Sequence, residues 1–220
     1  MILYHGSSVA VTAPDLQHTR EDIDFGGGFY LTADIDMAKK WACAKRNSVV
    51  SVFDVDLERL NIYEFGLNEE WLDYIKANRA EGGNPHYDNY DMLIGPTADD
   101  KLFITLQEYI DGDITKRQAI EYLNIAGFSN QYVIKNEDAL NNACCYIKSF
   151  EIVGTEKNEV RRTVQVERES ALQKLREVKQ LHKQIKEAQE RKEYSEAVSL
   201  NMAGAGNNEK FCANPRSRCR

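Results

Sequence analysis

Asp24-Phe25-Gly26-Gly27-Gly28-Phe29-Tyr30-Leu31-Thr32 decides how the chain is read. Three consecutive glycines make a turn that side chains would obstruct, and the residues after them read as a short strand. Upstream, Ser7–Asp24 is polar, holds Pro14 and lacks periodicity, so it reads as loop. Before it, Met1–Tyr4 is a short apolar run ending in His5-Gly6, a buried strand entering a turn. Downstream, Asp34–Arg46 reads as a helix capped by Asp34 or Asp36, with Ala38, Trp41, Ala42 and Lys45 on one stripe.

Further out, Ser48–Val55 is β-branched and alternating, hence strand. Glu69–Arg79 is helical, Glu81–Asn89 is a Gly/Pro/Asn loop, and Tyr90–Ile94 is a strand closed by Gly95-Pro96. Ala98–Ile110 can be helical, and Thr115-x-x-Gln118 resembles a capping box opening a helix to about Ile125. Gln131–Lys135 reads as strand, Asp138–Ala143 as a short helix and Cys145–Val153 as a last strand. The class is α+β rather than a doubly wound sheet, and the glycines have neither Walker nor dinucleotide spacing.

After Gly154 the character changes. Residues 156–196 are densely charged and hold no Gly or Pro, while Leu172, Leu175, Val178, Leu181, Ile185 and Ala188 recur at helical steps. That stripe is too short and irregular for a coiled coil, but it needs a partner or a domain surface to bury it. From Asn201 the chain is Gly/Asn-rich and ends in arginines, so disorder is expected. The organisation is a domain over 1–155, a charged amphipathic helix over 156–200 and a tail over 201–220.

Charge sharpens the division. The net charge is −7, with 13 Lys/Arg against 25 Asp/Glu in residues 1–155 and 15 against 10 in residues 156–220. An acidic domain is a poor match for a nucleic-acid backbone. The five cysteines (Cys43, Cys144, Cys145, Cys212 and Cys219) include no C-x-x-C pair, which argues against a disulfide framework and against a metal site. No signal peptide and no membrane-spanning stretch is visible. A cytoplasmic location is the default expectation, although leaderless export of an effector would leave no trace.

Three segments can carry chemistry together: Leu3-Tyr4-His5-Gly6-Ser7, the glycine turn with Tyr30 and Trp41, and Asn130-Gln131-Tyr132-Val133-Ile134. Singly, His5 reads as a structural histidine, and Tyr30 and Trp41 as core. As a set they suit a nicotinamide dinucleotide. Aromatics can sandwich a flat ring, His5 and a polar strand residue can hydrogen-bond ribose hydroxyls, and Gly6 lets backbone approach an amide.

These segments resemble the His-Tyr-Glu signature of the diphtheria-toxin and poly(ADP-ribose) polymerase type of ADP-ribosyltransferase. The chain is most similar to a bacterial family of unknown function, DUF3990, through Tyr4-His5-Gly6-Ser7, the segment 24–32, Ala38-Lys39-Lys40-Trp41-Ala42, Tyr90–Asp100 and Asn130–Ile134. The resemblance implies a split β-sheet with flanking helices. It implies NAD as substrate, with no metal, cleaved at the nicotinamide–ribose bond, and transfer to an unknown protein or other acceptor by a toxin or effector. It implies that His5 binds the adenosine ribose and that the Gly6 backbone holds the nicotinamide amide. Ser7 and Gly28 line the cofactor, and Tyr30 and Trp41 stack on it. Gln131 takes the place of the catalytic glutamate. Ala38 stands where the polymerases usually carry a serine.

The glutamine has a consequence. It can orient a ribose but brings no charge to an oxocarbenium-like state. Polymer elongation is therefore not expected; mono-ADP-ribosylation, NAD hydrolysis or a catalytically silent NAD-binding module remain. Asp99 or Asp100 could supply the missing carboxylate, or simply complement a helix dipole. Arg20 could reach the pyrophosphate, or be a solvated loop arginine. Outside the NAD class stands an interaction protein acting through its tail helix.

Overall fold

The structure is a computed structural model that describes residues 1–19, 23–97, 103–125 and 127–208. In chain order its elements are β1 (Ile2–Ser7), β2 (Phe29–Thr32), α1 (Ile35–Cys43), β3 (Val49–Val55), β4 (Ile62–Glu64), α2 (Glu69–Ala80), β5 (Met92–Pro96), α3 (Phe103–Ile110), α4 (Lys116–Ile125), β6 (Asn130–Ile134), α5 (Glu137–Ala143), β7 (Cys144–Glu151) and α6 (Gly154–Asn208). The class is mixed α+β. The seven strands form one sheet in the order β4-β5-β6-β2-β1-β3-β7. Every neighbouring pair is antiparallel except β4 and β5.

The sheet is held together unevenly. β1 pairs with β3 along its whole length, from Ile2↔Asp54 to Ser7↔Val49. Its other edge meets β2 at a single register pair, Tyr4↔Thr32. The halves β4-β5-β6-β2 and β1-β3-β7 thus separate beyond Tyr4, and the residues that follow it, His5, Gly6 and Ser7, border the opening.

Alternation along β2 sorts its side chains between two faces. Phe29 and Leu31 join Leu3, Phe53, Val55, Met92, Ile94 and Ile134 in one buried cluster, closed by Ala139 and Leu140 of α5. Tyr30 and Thr32 pair with Val133 and Gln131 on the opposite face. There a second cluster joins Ala38, Ala42 and Cys43 of α1 to Val50 and Ile152. Asp34 caps α1 by accepting from the backbone N–H of Asp36 and Met37. The box at α4 is present, with Thr115 Oγ1 accepting from the Gln118 backbone N–H and Gln118 Oε1 from that of Thr115.

Two boundaries differ from the sequence reading. β4, a three-residue edge strand, carries too little periodicity to be seen in the sequence. The compact unit runs from Met1 to Leu175 rather than ending at 155, and a second unit covers Arg176–Arg220. The physical reason is that the first turns of α6 pack on α1 and the sheet. Val160 joins the second cluster, Arg161 donates to the Cys43 carbonyl at 3.0 Å, and Lys40 pairs with Glu167 at 2.8 Å. Ala171 and Leu175 are buried. The helix itself continues past Asn201 to Asn208, into the stretch where disorder is expected.

A chain cut after Leu175 should therefore unfold in one step near the full-length midpoint. Cutting after Thr155 removes the buried Leu175 and its neighbours, worth about 3 kcal/mol, and should lower the midpoint by roughly 10 °C. Thermal scans of the two truncations check this; equal midpoints would place the boundary back at 155.

Candidate functional site

The opening between β1 and β2 is a cleft of about 810 Å3, lined among others by His5, Gly6, Ser7, Gly28, Tyr30, Trp41 and Gln131. The structure thus brings together seven of the ten residues singled out in the sequence. Arg20, Asp99 and Asp100 lie outside the described residues.

His5 ties the separated strands together. Its Nδ1 donates to the Tyr30 carbonyl at 2.7 Å, and its ring stacks on Phe29 with centroids 4.7 Å apart. Burial lowers its pKa, with the Tyr30 hydrogen bond opposing. A neutral imidazole with its proton on Nδ1 keeps Nε2 as an acceptor, suited to a ligand hydroxyl.

Tyr30 offers a ring rather than a reactive hydroxyl. Its oxygen donates to the Gly26 carbonyl at 2.8 Å and accepts from the Phe25 N–H at 3.0 Å. Burial, then the charge of Asp24, raises its pKa well above the ordinary value. The sequence stripe on α1 divides in two. Ala38 and Ala42 bury against the sheet, while Met37 and Trp41, one turn apart, line the cleft, joined by Lys45 just past the end of the helix. Trp41 is thus a half-buried cleft residue rather than core. Ala38 itself is buried against the sheet and does not line the cleft.

Gly6 has a structural reason of its own. A Cβ there would sit 2.1 Å from the Ala38 carbonyl oxygen and 2.9 Å from the Ala42 nitrogen. Bare backbone is what lets α1 cross β1. A loop over residues 8–19 forms a further wall, anchored where the Val11 N–H donates to Ser51 Oγ and the Leu16 N–H to Glu137 Oε1. Ser7 donates to the Val9 carbonyl within this loop.

Gln131 is buried, and its Nε2 donates to the Pro96 carbonyl at 3.3 Å and to Asp24 Oδ2 at 3.4 Å. Asp24, Arg79 and Thr97 line the cleft and were missed in the sequence, as was Lys135, which supports the turn beside it. Buried Asp24 and partly buried Arg79 form an ion pair on the cleft wall. The only sequence signal for it was Asp24's place beside the glycine turn, because its partner lies 55 residues away. Thr97 lines the cleft and carries a buried Oγ1 without a hydrogen-bond partner among the described residues. Lys135 reaches under the turn and donates to the carbonyls of Phe25 (2.5 Å) and Gly27 (2.6 Å). Burial pushes its pKa down to about 8, the charge of Asp88 opposing. Among the described residues there is no cluster of His, Cys, Asp and Glu able to hold a metal ion, and no helix is long and apolar enough to cross a membrane.

Two outcomes follow. Gly6→Ala should destabilise the protein by about 2 kcal/mol or more with no ligand present, because helix backbone must move; urea midpoints measure it. Between about pH 8 and its ordinary 10.5, Lys135 is protonated in the unfolded chain and neutral in the folded one. The unfolding free energy should therefore rise with pH across that window, by up to about 3 kcal/mol. Above pH 10 the loss of protons from unfolded-state tyrosines acts the other way, since burial raises the pKa of Tyr30 and Tyr74. Urea titrations from pH 7 to 9.5 should show the rise in the wild type and its loss in Lys135→Met.

The family model described as "Protein of unknown function (DUF3990)" matches residues 1–144, and the chain belongs to that family. No curated protein and no solved structure matches it.

Proposed function

We propose that this member of the DUF3990 family binds NAD in the cleft between β1 and β2 and transfers a single ADP-ribose from it. One observation carries the reading. Residues chosen for their fit to a nicotinamide dinucleotide, on β1, the glycine turn, β2, α1 and β6, line one cleft of a size usual for such ligands. In the reaction the nicotinamide–C1′ bond breaks and its electron pair leaves with the ring nitrogen, which becomes neutral. C1′ then takes a nucleophile from the acceptor, or water, whose proton passes to solvent.

The chain's own groups have matching parts. Neutral His5 accepts from a ribose hydroxyl, while Tyr30 and Trp41 offer aromatic surface to a flat ring. Gln131 orients the nicotinamide ribose. The acceptor decides whether such an activity serves as a toxin, an effector or a modifier of self proteins. A second reading, a silent NAD-binding module, is favoured by one fact: residue 131 carries no charge.

Isotope-labelled NAD incubated with the protein and a cell lysate tests the proposal. Transfer of label supports the enzyme, saturable binding without transfer supports the module, and absence of binding removes both. In that last case the tail helix, with Leu181 and Ile185 exposed, becomes the part to pursue. His5→Ala and Tyr30→Ala should each lower NAD cleavage at least tenfold while the fold survives. Unchanged affinity and activity in the folded double variant would refute the nicotinamide-site assignment.

A further inference from the structure

We propose that Asp24 supplies the negative charge at the Gln131 end of this cleft, and that residue 131 is held as a glutamine because it must donate to Asp24. This rests on the NAD-cleaving reading for the purpose of the charge, though not for the coupling of the two residues.

The orientation of the Gln131 amide is determined by its neighbours. Pro96 offers a carbonyl oxygen, which can only accept, and which also takes the buried Trp71 Nε1–H at 3.0 Å. Asp24 offers a carboxylate oxygen 3.4 Å away. Two acceptors facing one side chain require an N–H donor, and glutamine supplies it. A glutamate at 131 would set a second carboxylate against the first and against the Pro96 oxygen. The shape of the site therefore accounts for the departure from glutamate that the sequence displays.

The carboxylate is well fixed. The Asn78 side chain donates to the Asp24 carbonyl at 3.1 Å, and the Gly26 N–H closes a turn on the Ile23 carbonyl at 2.9 Å. Arg79 pairs with Oδ1, while Oδ2 faces Gln131. Only 12% of the Asp24 side chain is exposed, yet it lines the same cleft as Gln131, His5 and Tyr30. A pair serving only to fasten a loop to α2 would need neither the glutamine nor a place on the cleft wall.

The chemistry calls for such a charge. As the nicotinamide–C1′ bond breaks, its electron pair goes to the ring nitrogen and positive charge appears on the ribosyl carbon and ring oxygen. A prefixed carboxylate stabilises that charge without reorganising. No proton is taken or given by Asp24 in the step.

Four full-length proteins test the proposal: wild type, Asp24→Asn, Gln131→Glu, and the charge swap Asp24→Asn/Gln131→Glu. Nicotinamide release from NAD, NAD affinity, and ligand-free urea stability from pH 4 to 8 are measured on each. Release should fall at least tenfold in Asp24→Asn, mainly in kcat with KM little changed. It should fall, not rise, in Gln131→Glu, and recover at least tenfold in the charge swap. Without ligand, Gln131→Glu should lose stability as pH rises through the carboxylate range, and the swap, which removes the facing carboxylate but not the Pro96 oxygen, should show a smaller loss. Higher release in Gln131→Glu, or additive effects of the two substitutions on release and stability, would overturn the proposal. If the wild type neither binds nor cleaves NAD, the reading of the cleft fails separately. The ligand-free cycle then decides the coupling, and additivity there overturns it as well.

Discussion

Four successive carbonyl groups, from Asp24 to Gly27, leave the sheet at the glycine turn, and each has to find a donor away from strand pairing. Asn78 serves Asp24, Lys135 serves Phe25 and Gly27, and the Tyr30 hydroxyl serves Gly26. These donors come from α2, from the residue after β6 and from β2, so one turn draws three parts of the chain to one place. The buried ammonium of Lys135 is costly in itself. Without it, the Gly27 carbonyl would lose its side-chain donor and the Phe25 carbonyl would be left with the Tyr74 hydroxyl at 3.4 Å, and Gly28 has no room for a Cβ because Val133 Cγ1 would lie 2.5 Å from it.

The glycine turn and the gap in the sheet are linked. Because the turn is held against α2 and β6, β2 follows β6 along four register pairs and meets β1 at only one. The strands separate where His5 can bridge them with a side chain instead of a ladder bond. An opening in a sheet exposes backbone that sheets otherwise consume, and here that exposed region is walled by α1 and by the loop over residues 8–19. The cleft follows from how the turn is satisfied.

Much of this was legible in the sequence, and the limits have physical causes. Strands with clear apolar character, such as Val49–Val55 and Asn130–Ile134, announce themselves, and so do helices with side-chain caps at Asp34 and Thr115. The residues of the cleft were legible as types: a His beside a Gly, an aromatic after three glycines, a polar residue on a late strand. Their geometry was not. Which face of α1 meets the sheet turns on Gly6 being bare, a contact across 32 residues. Arg79 and Lys135 sit in unremarkable local sequence, and their burial depends on partners 55 and more than 100 residues away. The true end of the domain hid inside one uninterrupted helix, where no Gly or Pro marks the place at which packing stops.

Charge shows how far a whole-chain number can mislead about a site. The balance over residues 1–155 is strongly acidic, which argues against a nucleic-acid surface but says little about a cleft of about 810 Å3. Within it, Lys45 lines the wall just past the end of α1, and Arg79 sits beside Asp24. Low-dielectric walls make the nearest charges count for more than the distant total. The Asp24–Arg79 pair already puts one charge of each sign on the wall beside Gln131, locked in place by hydrogen bonds that also hold the turn. The residue that brings the carboxylate to the cleft wall is thus also the first residue of the turn, where Asn78 holds its carbonyl.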